Sequence, residues 1–274
     1  MHDRTELSRI FLADAQTNAL QGSVHWAPAK SLWLSAHFLV ALVGGALTFS
    51  WSALVVFVVT TAATLCLGHS LGMHRRLIHN SYECPRWLEY FLVHCGVLVG
   101  LAGPFGMTHT HDLRDWAQRQ GDCHSYLRHG SGMLKDGWWQ LHCDLLLDHP
   151  PQFRPEARMA NDRVLHVMER SWMAQQLPLA LLLFLLGGWA FVVWGICARV
   201  AVSVTGHWLV GYYAHNQGGM DNEVVGAAVQ GRNVKWMSYA TMGESWHNNH
   251  HAFPGWCGTS CCRATCRRAS SCGR

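Results

Sequence analysis

Charged residues are scarce in this chain of 274 residues: they make up 14% of it, whereas hydrophobic residues make up 50%. A soluble domain usually carries about a quarter charged residues, so the shortage indicates a membrane protein. The net charge is only +4, and the basic residues are interspersed with acidic ones. Because no concentrated basic surface is expected, nucleic-acid binding is excluded as a function.

A secretory signal peptide and a C-x-x-C pair are also missing. The first twenty residues are polar and of mixed charge, so a disulfide framework is not expected. Six of the 11 cysteines are scattered singly, and we interpret them as buried free thiols. The other five lie between Cys257 and Cys272 in a spacing that does not fit a zinc module. We interpret residues 255–274 as a disordered or aberrant tail, produced by a shifted reading frame or a truncated native end.

Long apolar runs are what the chain has instead. The run from Leu32 to Gly68 is nearly free of charge and long enough for two membrane spans, at about 32–49 and 51–68. A second run, from Trp172 to Tyr213, predicts spans at about 173–187 and 189–213, with the turn at two glycines. A shorter run contains Glu89 and His94, and we expect an interfacial or re-entrant helix at about 87–103.

These segments predict an all-α integral membrane fold with four transmembrane helices in two hairpins. Residues 1–30 would form an N-terminal cytoplasmic segment, and residues 31–254 the membrane domain with its helical cap. The segment 69–171 carries several arginines, whereas the turns between spans carry no charge. The positive-inside tendency therefore predicts a multi-pass protein whose cap lies on the cytoplasmic side.

Histidine is unusually frequent, with 19 residues, and most of them gather where the predicted spans leave the membrane. Histidine is the commonest metal ligand among side chains, so the clusters suggest a metal site. The clustered positions are His69, His74 and His79, then His109, His111 and His124, then His207 and His215, and finally His247, His250 and His251. Isolated histidines are interpreted as surface or hydrogen-bonded residues: His2, His25, His37, His94, His129, His142, His149 and His166.

The spacing within each cluster limits what it can bind. Residues three and four apart share a helix face, so the three histidines of HNNHH can aim their rings at one point. His207 and His215 form a stripe with Gly211 between them, and the glycine leaves a gap. His74 and His79 diverge on an ideal α-helix. They could serve one centre only if the helix ends there, or else they reach two different metals.

Many imidazoles with few carboxylates suit iron, copper or zinc rather than calcium or magnesium. A closed site needs only four ligands, so eight or more candidates imply two metal ions or one site with additional histidines around it.

Three stretches resemble the membrane fatty acid desaturase family. HRRLIH, residues 74–79, resembles the first H-x4-H box of that family. GESWHNNHHAFP, residues 243–254, resembles its last box, in which Gly-Glu precedes H-x-x-H-H and Phe-Pro follows. WLVGYYAH, residues 208–215, is similar to the segment that ends the fourth span with a further histidine. The resemblance covers residues 30 to 254 in order.

The resemblance implies an oxidoreductase with two iron ions that uses dioxygen to introduce a cis double bond into a fatty acyl chain. The acyl chain would be carried on CoA or on a membrane lipid. Electrons would come from a separate protein of the ferredoxin, rubredoxin or cytochrome b5 type, since the chain shows no haem or flavin motif. The iron ligands implied are His74, His79, His215, His247, His250 and His251.

The middle box departs from the family pattern of H-x-x-H-H. Here the matching stretch reads HDLRD: His111 fits, but Arg114 and Asp115 stand where two histidines are expected. Arginine cannot ligate a metal in practice, whereas Asp115 could ligate or could pair with Arg114. Gly211 stands where acyl-CoA desaturases carry an asparagine. We predict that His207 replaces a missing ligand, with His69 and His124 as further candidates.

Two other functions are compatible with a histidine-rich membrane protein. The rearranged middle box leaves open a hydroxylase or another oxygenase of a lipid or alkane on the same scaffold. A metal transporter is disfavoured, because a transport path would place polar ligands near the middle of the membrane rather than at the ends of spans.

Overall fold

The computed structural model describes residues 9–239, 241 and 243–253. Within these residues the chain is mostly helical, with two small antiparallel sheets of two strands each. The two sheets are a departure from the all-α prediction. In each sheet, a short strand near the start of the described chain pairs with a short strand between residues 143 and 153. The predicted tail at 255–274 and the first eight residues of the predicted N-terminal segment lie outside the described residues.

Strands and helices are numbered separately, each in chain order. The strands are β1 (Ile10–Phe11), β2 (Gly22–Trp26), β3 (Cys143–Leu147) and β4 (Gln152–Phe153). The α-helices are α1 (Pro28–Leu47), α2 (Trp51–Ala63), α3 (Arg86–Val97), α4 (Pro104–Gln118), α5 (Ser125–Arg128), α6 (Met133–His142), α7 (Ala157–Ala160), α8 (Arg163–Arg170), α9 (Gln176–Val192), α10 (Arg199–Asn216) and α11 (His247–Ala252). Two π-helices, Thr64–Ile78 and Val193–Ala198, and a 3₁₀ turn, Lys235–Met237, complete the set.

In the part of the chain that the structure describes, three helical stretches are long and apolar enough to cross a membrane: Pro28–Leu47, Trp51–Ile78 and Gln176–Asn216. The first begins earlier than the predicted residue 32, because a proline occupies its first turn, where a missing N–H is harmless. The second begins where Ser50 accepts a hydrogen bond from the backbone N–H of Ala53 at 3.1 Å.

The second stretch continues well past the predicted end at residue 68. The α-helical part passes without a break into the π-helix Thr64–Ile78, which carries the histidines of the first box. Hydropathy falls there, but the helix continues because much of its surface is buried against other elements of the protein. A π-helix closes hydrogen bonds between residues five apart, and such helices occur mostly at functional sites.

The third stretch reverses direction at Gly187 and Gly188, whose backbone is not helical; φ of Gly188 is 64°. The side chain of Leu183 lies against Gly195, and the guanidinium of Arg199 donates to the amide oxygen of Gln176. Along one straight helix these partners would be far apart, at 1.5 Å per residue. The stretch is therefore a hairpin of two antiparallel helices.

Helix α3 crosses the π-helix at close range. A Cβ atom on Gly72 would lie 2.3 Å from the carbonyl oxygen of Leu92, and one on Gly68 would lie 2.3 Å from the carbonyl carbon of Cys95. Only glycine allows the two backbones to approach in this way. The helix ends at Val97 rather than at the predicted residue 103, because Gly100 adopts a φ of 89° and α4 begins soon after.

Behind this crossing lies the largest apolar cluster of the described residues. It joins the π-helix with α3, α4, α7 and α8, and it holds the end of the π-helix in place. Its buried members are Met73, Leu77, Ile78, Val93, Val97, Met107, Met159, Leu165 and Met168.

Arg9 ties the N-terminal segment to the same region. Its guanidinium donates to the carbonyl oxygens of Leu77 at 3.3 Å and Ile78 at 2.7 Å, which end the π-helix. It also pairs with Asp112 at 2.9 Å and Glu156 at 2.8 Å. The arginine thus fixes the helix end next to His79 relative to the helix that carries His111.

Candidate metal centre

Two groups of histidines converge among the described residues. Within each group, the nitrogen atoms that could bind a metal all lie within 4.8 Å of one another. We call them the first group and the second group. The first group is His74, His79, His111 and His250, and the second group is His215, His247 and His251.

The π-helix brings His74 and His79 together in the first group. Because a π-helix bonds residues five apart, the N–H of His79 donates to the carbonyl of His74 at 3.0 Å. The Nε2 atoms of the two rings are 3.2 Å apart. Of the two alternatives that the spacing leaves open, the structure therefore has the one in which both rings face one point. An α-helix would have separated them.

The other two rings of the first group come from α4 and α11. The ring of His111 lies 5.2 Å from that of His74 and 4.9 Å from that of His79. The ring of His250 lies 4.7 Å from each of the same two rings. Four imidazoles from three helices thus surround one point.

The second group joins the end of α10 to the other face of α11. The Nε2 of His247 is 3.1 Å from that of His215 and 3.0 Å from that of His251. His247 and His251 are four residues apart and share one face of the helix, while His250 points to the first group. The spacing of HNNHH allows all three rings to aim at one point, but in the structure His250 belongs to a different group, so one short helix serves two points.

The two groups are neighbours, because they share α11. The ring of His250 lies 5.8 Å from that of His247 and 6.0 Å from that of His251. Two ions bound in these groups would lie side by side, an arrangement that two-metal enzymes use.

Burial keeps most of these imidazoles neutral. Burial, together with the neighbouring imidazoles, lowers the pKa of His247 to about 3. Burial and neighbouring imidazoles also hold the pKa values of His79, His250 and His251 well below the usual range. Burial also acts to lower the pKa of His111, but Asp115 and Asp112 outweigh it and raise the value. A neutral imidazole offers the lone pair that a metal needs.

Carboxylates support the first group from outside. A carboxylate oxygen of Glu244 lies 2.7 Å from Nδ1 of His74, and the other accepts from the hydroxyl of Ser70 at 2.5 Å. Burial would raise the pKa of Glu244, but His74, Ser70 and Arg75 outweigh it and hold it well below its usual range. The carboxylate is therefore charged, and it fixes the ring of His74 so that Nε2 faces the group. Sequence reasoning noted Glu244 only as part of the last box and gave it no role.

Asp112 and Asp115 approach His111 in the same way. Nδ1 of His111 lies 3.4 Å from a carboxylate oxygen of Asp112 and 4.0 Å from one of Asp115. Asp115 thus stands behind a histidine of the first group and belongs to neither group. This geometry does not support the alternative that Asp115 is a direct metal ligand.

Replacing Glu244 by glutamine is expected to weaken metal binding in the first group by about 10–100-fold, the usual cost of removing such an outer partner. Glutamine keeps the size of the side chain but loses the charge that orients His74. Metal content after dialysis against a graded chelator measures the change. Glu83, which is exposed, gives the matched control: Glu83→Gln should retain metal as the unmodified protein does. Equal retention by both variants would contradict the role of Glu244.

Three predicted ligand candidates lie outside both groups. His207 lies two helical turns before His215, and its ring contacts that of His69 at 4.8 Å. His69 in turn stacks on His74 at 6.5 Å without joining the first group. His124 caps α5 by accepting from the N–H of Tyr126 at 3.2 Å. The ring of His207 faces His69 rather than either group, and its role in place of a missing ligand stays a prediction.

His129, which sequence reasoning set aside as an isolated histidine, is the unexpected neighbour of the second group. Its ring stacks on that of His215 at 5.6 Å with an angle of 14° between planes. It occupies the gap at Gly211, where a Cβ would lie 3.0 Å from Nε2 of His129. The spacing of the stripe on α10 indicated the gap, but no local signal showed which residue fills it.

Both groups fit a bound transition metal. All of their donor atoms are imidazole nitrogens, which suit iron, copper and zinc. Nε2 of His250 is buried and has no hydrogen-bond partner in the part of the chain that the structure describes. A buried polar atom without a partner is costly, and a metal ion would satisfy it.

Comparison with known proteins gives a consistent result. The family model described as "Fatty acid desaturase" matches residues 49–258. The chain is 35% identical over 231 residues to a sn-1 stearoyl-lipid 9-desaturase of Anabaena variabilis, with 81% of each chain covered. It is 32% identical to a sn-1 stearoyl-lipid 9-desaturase of a Synechocystis species, a match covering 75% of this chain and 63% of the relative. It is also 32% identical to a sn-2 palmitoyl-lipid 9-desaturase of a Nostoc species, with 75% and 72% covered.

Proposed function

Since the chain belongs to the fatty acid desaturase family, we propose that it introduces a cis double bond at position 9 of a saturated acyl chain carried on a membrane lipid. The observation that carries this proposal is the pair of adjacent histidine groups in a chain that matches lipid-linked 9-desaturases along most of its length. As a member of this family it is an oxidoreductase that acts on acyl chains. The position of the bond and the lipid carrier are what we propose beyond the family.

The metal in both groups is proposed to be iron. His74, His79, His111 and His250 would hold one ion, and His215, His247 and His251 the other. When bound, iron would supply the activation of dioxygen that removal of hydrogen from an unactivated C–H bond requires. The protein's own residues hold neutral imidazoles at fixed positions and limit their contact with water, because His250 and His251 are buried and the other rings are half-buried.

The membrane arrangement that we propose has four spans. The hairpin at Gly187 and Gly188 would supply two of them, and the helices before Ile78 the other two. Both histidine groups lie at the ends of helices whose apolar parts precede them, so they would stand at one membrane face. The arginines of the middle segment support a cytoplasmic position for that face. Electrons would arrive from a separate donor of the ferredoxin, rubredoxin or cytochrome b5 type.

Expression in a host whose lipids are saturated tests this proposal. We expect a new cis bond at position 9 in lipid-linked chains, detected by gas chromatography and mass spectrometry of dimethyl disulfide adducts. A His251→Ala variant expressed at the same level provides the blank. A bond at another position would overturn the proposed position, and hydroxylated chains would overturn desaturation itself. Products confined to the acyl-CoA pool would overturn the lipid carrier.

A further inference from the structure

Arg114 lies next to the second group, although it stands where the family places a histidine. Its guanidinium donates to Gln140 at 2.7 Å through Nη2 and to Nε2 of His129 through Nη1. Among the residues that the structure describes, no carboxylate forms an ion pair with it. A permanent positive charge is thus held in place by neutral acceptors, close to a group of possible metal ligands.

His129 connects Arg114 to a carboxylate on its far side. Nδ1 of His129 donates to Asp136 at 2.8 Å, and the indole N–H of Trp208 donates to the same oxygen at 2.8 Å. His129 is 2% exposed and Asp136 is 0% exposed. Because Nδ1 donates to Asp136 while Nε2 accepts from Arg114, His129 carries its proton on Nδ1 and turns the lone pair of Nε2 towards the arginine.

This relay, formed by Arg114, His129 and Asp136, lies directly against the second group. The ring of His129 stacks on that of His215, so one imidazole separates the guanidinium from a member of the group. The backbone carbonyl of His129 also accepts from the side chain of Asn216 at 3.0 Å. The position of the positive charge relative to His215 is thereby fixed on two sides.

The order of charges is reversed between the two groups. In the first group, carboxylates contact the histidines directly, and the arginines that pair with those carboxylates stand behind them. Beside the second group, Arg114 and Asp136 bind opposite nitrogens of His129. The nitrogen that faces Arg114 lies at Gly211, one turn of α10 before His215, whereas Asp136 is held by Trp208, two turns before it. The first group also has four imidazoles where the second has three. Both differences favour a cation in the first group.

We propose that the relay makes the two groups unequal, so that the first group binds its metal ion more tightly and Arg114 lowers the affinity of the second group for its ion. Arg114 acts through charge and position and does not touch the ion. The two ions would then load in order, the first group before the second. This inference rests on the proposed dimetal function but concerns only the relative affinities of the two groups.

The test is a Co²⁺ titration of the full-length, detergent-solubilised protein after removal of metal, followed by visible absorption. We expect two binding events that differ by about 10-fold or more in dissociation constant. His250→Ala should remove the tighter event, and His251→Ala the weaker one. Equal affinities in the unmodified protein, or loss of the tighter event in His251→Ala, would overturn the proposal.

Charge variants separate an electrostatic role from a structural one. Arg114→Met leaves Asp136 as the net charge and should tighten the weaker event by about 10-fold, whereas Asp136→Asn leaves only the arginine and should loosen it. Arg114→Lys keeps the charge and should stay near the unmodified value. A structural role predicts that all three variants loosen binding, and that result would overturn the proposal. If Arg114→Met does not fold, the comparison of the other two variants still decides: Asp136→Asn should loosen the weaker event, and Arg114→Lys should leave it unchanged. Because no acyl substrate is involved, failure here leaves the proposed function untouched.

Discussion

Replacing His250 by alanine is expected to reduce desaturation below about 1% of the unmodified activity, because a direct ligand matters more than the outer partners whose loss costs 10–100-fold. Four imidazoles from three helices converge in the first group, and His250 joins it from the helix shared with the second group. Its removal leaves the first group with three imidazoles and opens a cavity beside the second group. Iron content is expected to fall from two ions per chain to about one.

His251→Ala is the matched partner of this variant, because it lies next in sequence on the same helix but belongs to the second group. We expect His251→Ala to lose the ion of the second group and to lose as much desaturation activity as His250→Ala does. His166→Ala is the control: that ring bonds to the carbonyl of Ala160 at 2.8 Å and lies outside both groups. Metal content and lipid analysis on the three variants give the measurement. Two ions retained in His250→Ala, together with normal activity, would show that the groups are not metal sites.

The sequence predicts the family and most of the histidines that converge, and it does so from different kinds of signal. The box around His250 is a short run of consecutive residues, so it can be recognised without knowing which segments pack around it. The three apolar stretches that could cross a membrane also follow from composition alone, because hydropathy is summed over many residues. These features need no knowledge of which segments meet.

Other parts of the site depend on contacts that no local pattern reveals. The five-residue spacing of His74 and His79 places them together only in a π-helix, and no spacing rule for α-helices predicts that conformation. His129 is far in sequence from the boxes, and it fills the gap at Gly211 only once α10 has packed against its loop. The role of Glu244 likewise depends on the approach of the last box to the first.

Replacing Gly72 by alanine is expected to have a large effect on folding, although it adds only one methyl group. The new Cβ would lie 2.3 Å from the carbonyl oxygen of Leu92 and 2.5 Å from its carbonyl carbon. Both atoms belong to the backbone of α3, so no side chain can turn away. The two helices must separate, at an expected cost of about 2–4 kcal/mol in the free energy of unfolding.

Gly206→Ala is the matched control, because its Cβ would meet nothing within 4 Å on α10. Alanine is the better helix former by about 1 kcal/mol, so this variant should be as stable as the unmodified protein or slightly more stable. Thermal unfolding in detergent, followed by intrinsic tryptophan fluorescence, compares the two. Equal midpoints for Gly72→Ala and the unmodified protein would show that the close crossing is not needed.

The same crossing controls the geometry of the first group, since Gly72 lies two residues before His74. If the helices separate, His74 moves with the π-helix while His111 stays on α4, so the four nitrogens no longer face one point. We therefore expect Gly72→Ala to lose iron from the first group at temperatures where the protein is still folded. His251 and the second group are carried by α10 and α11 and should retain their ion longer. Simultaneous loss of both ions at the unfolding midpoint would instead show that the glycine supports only the fold.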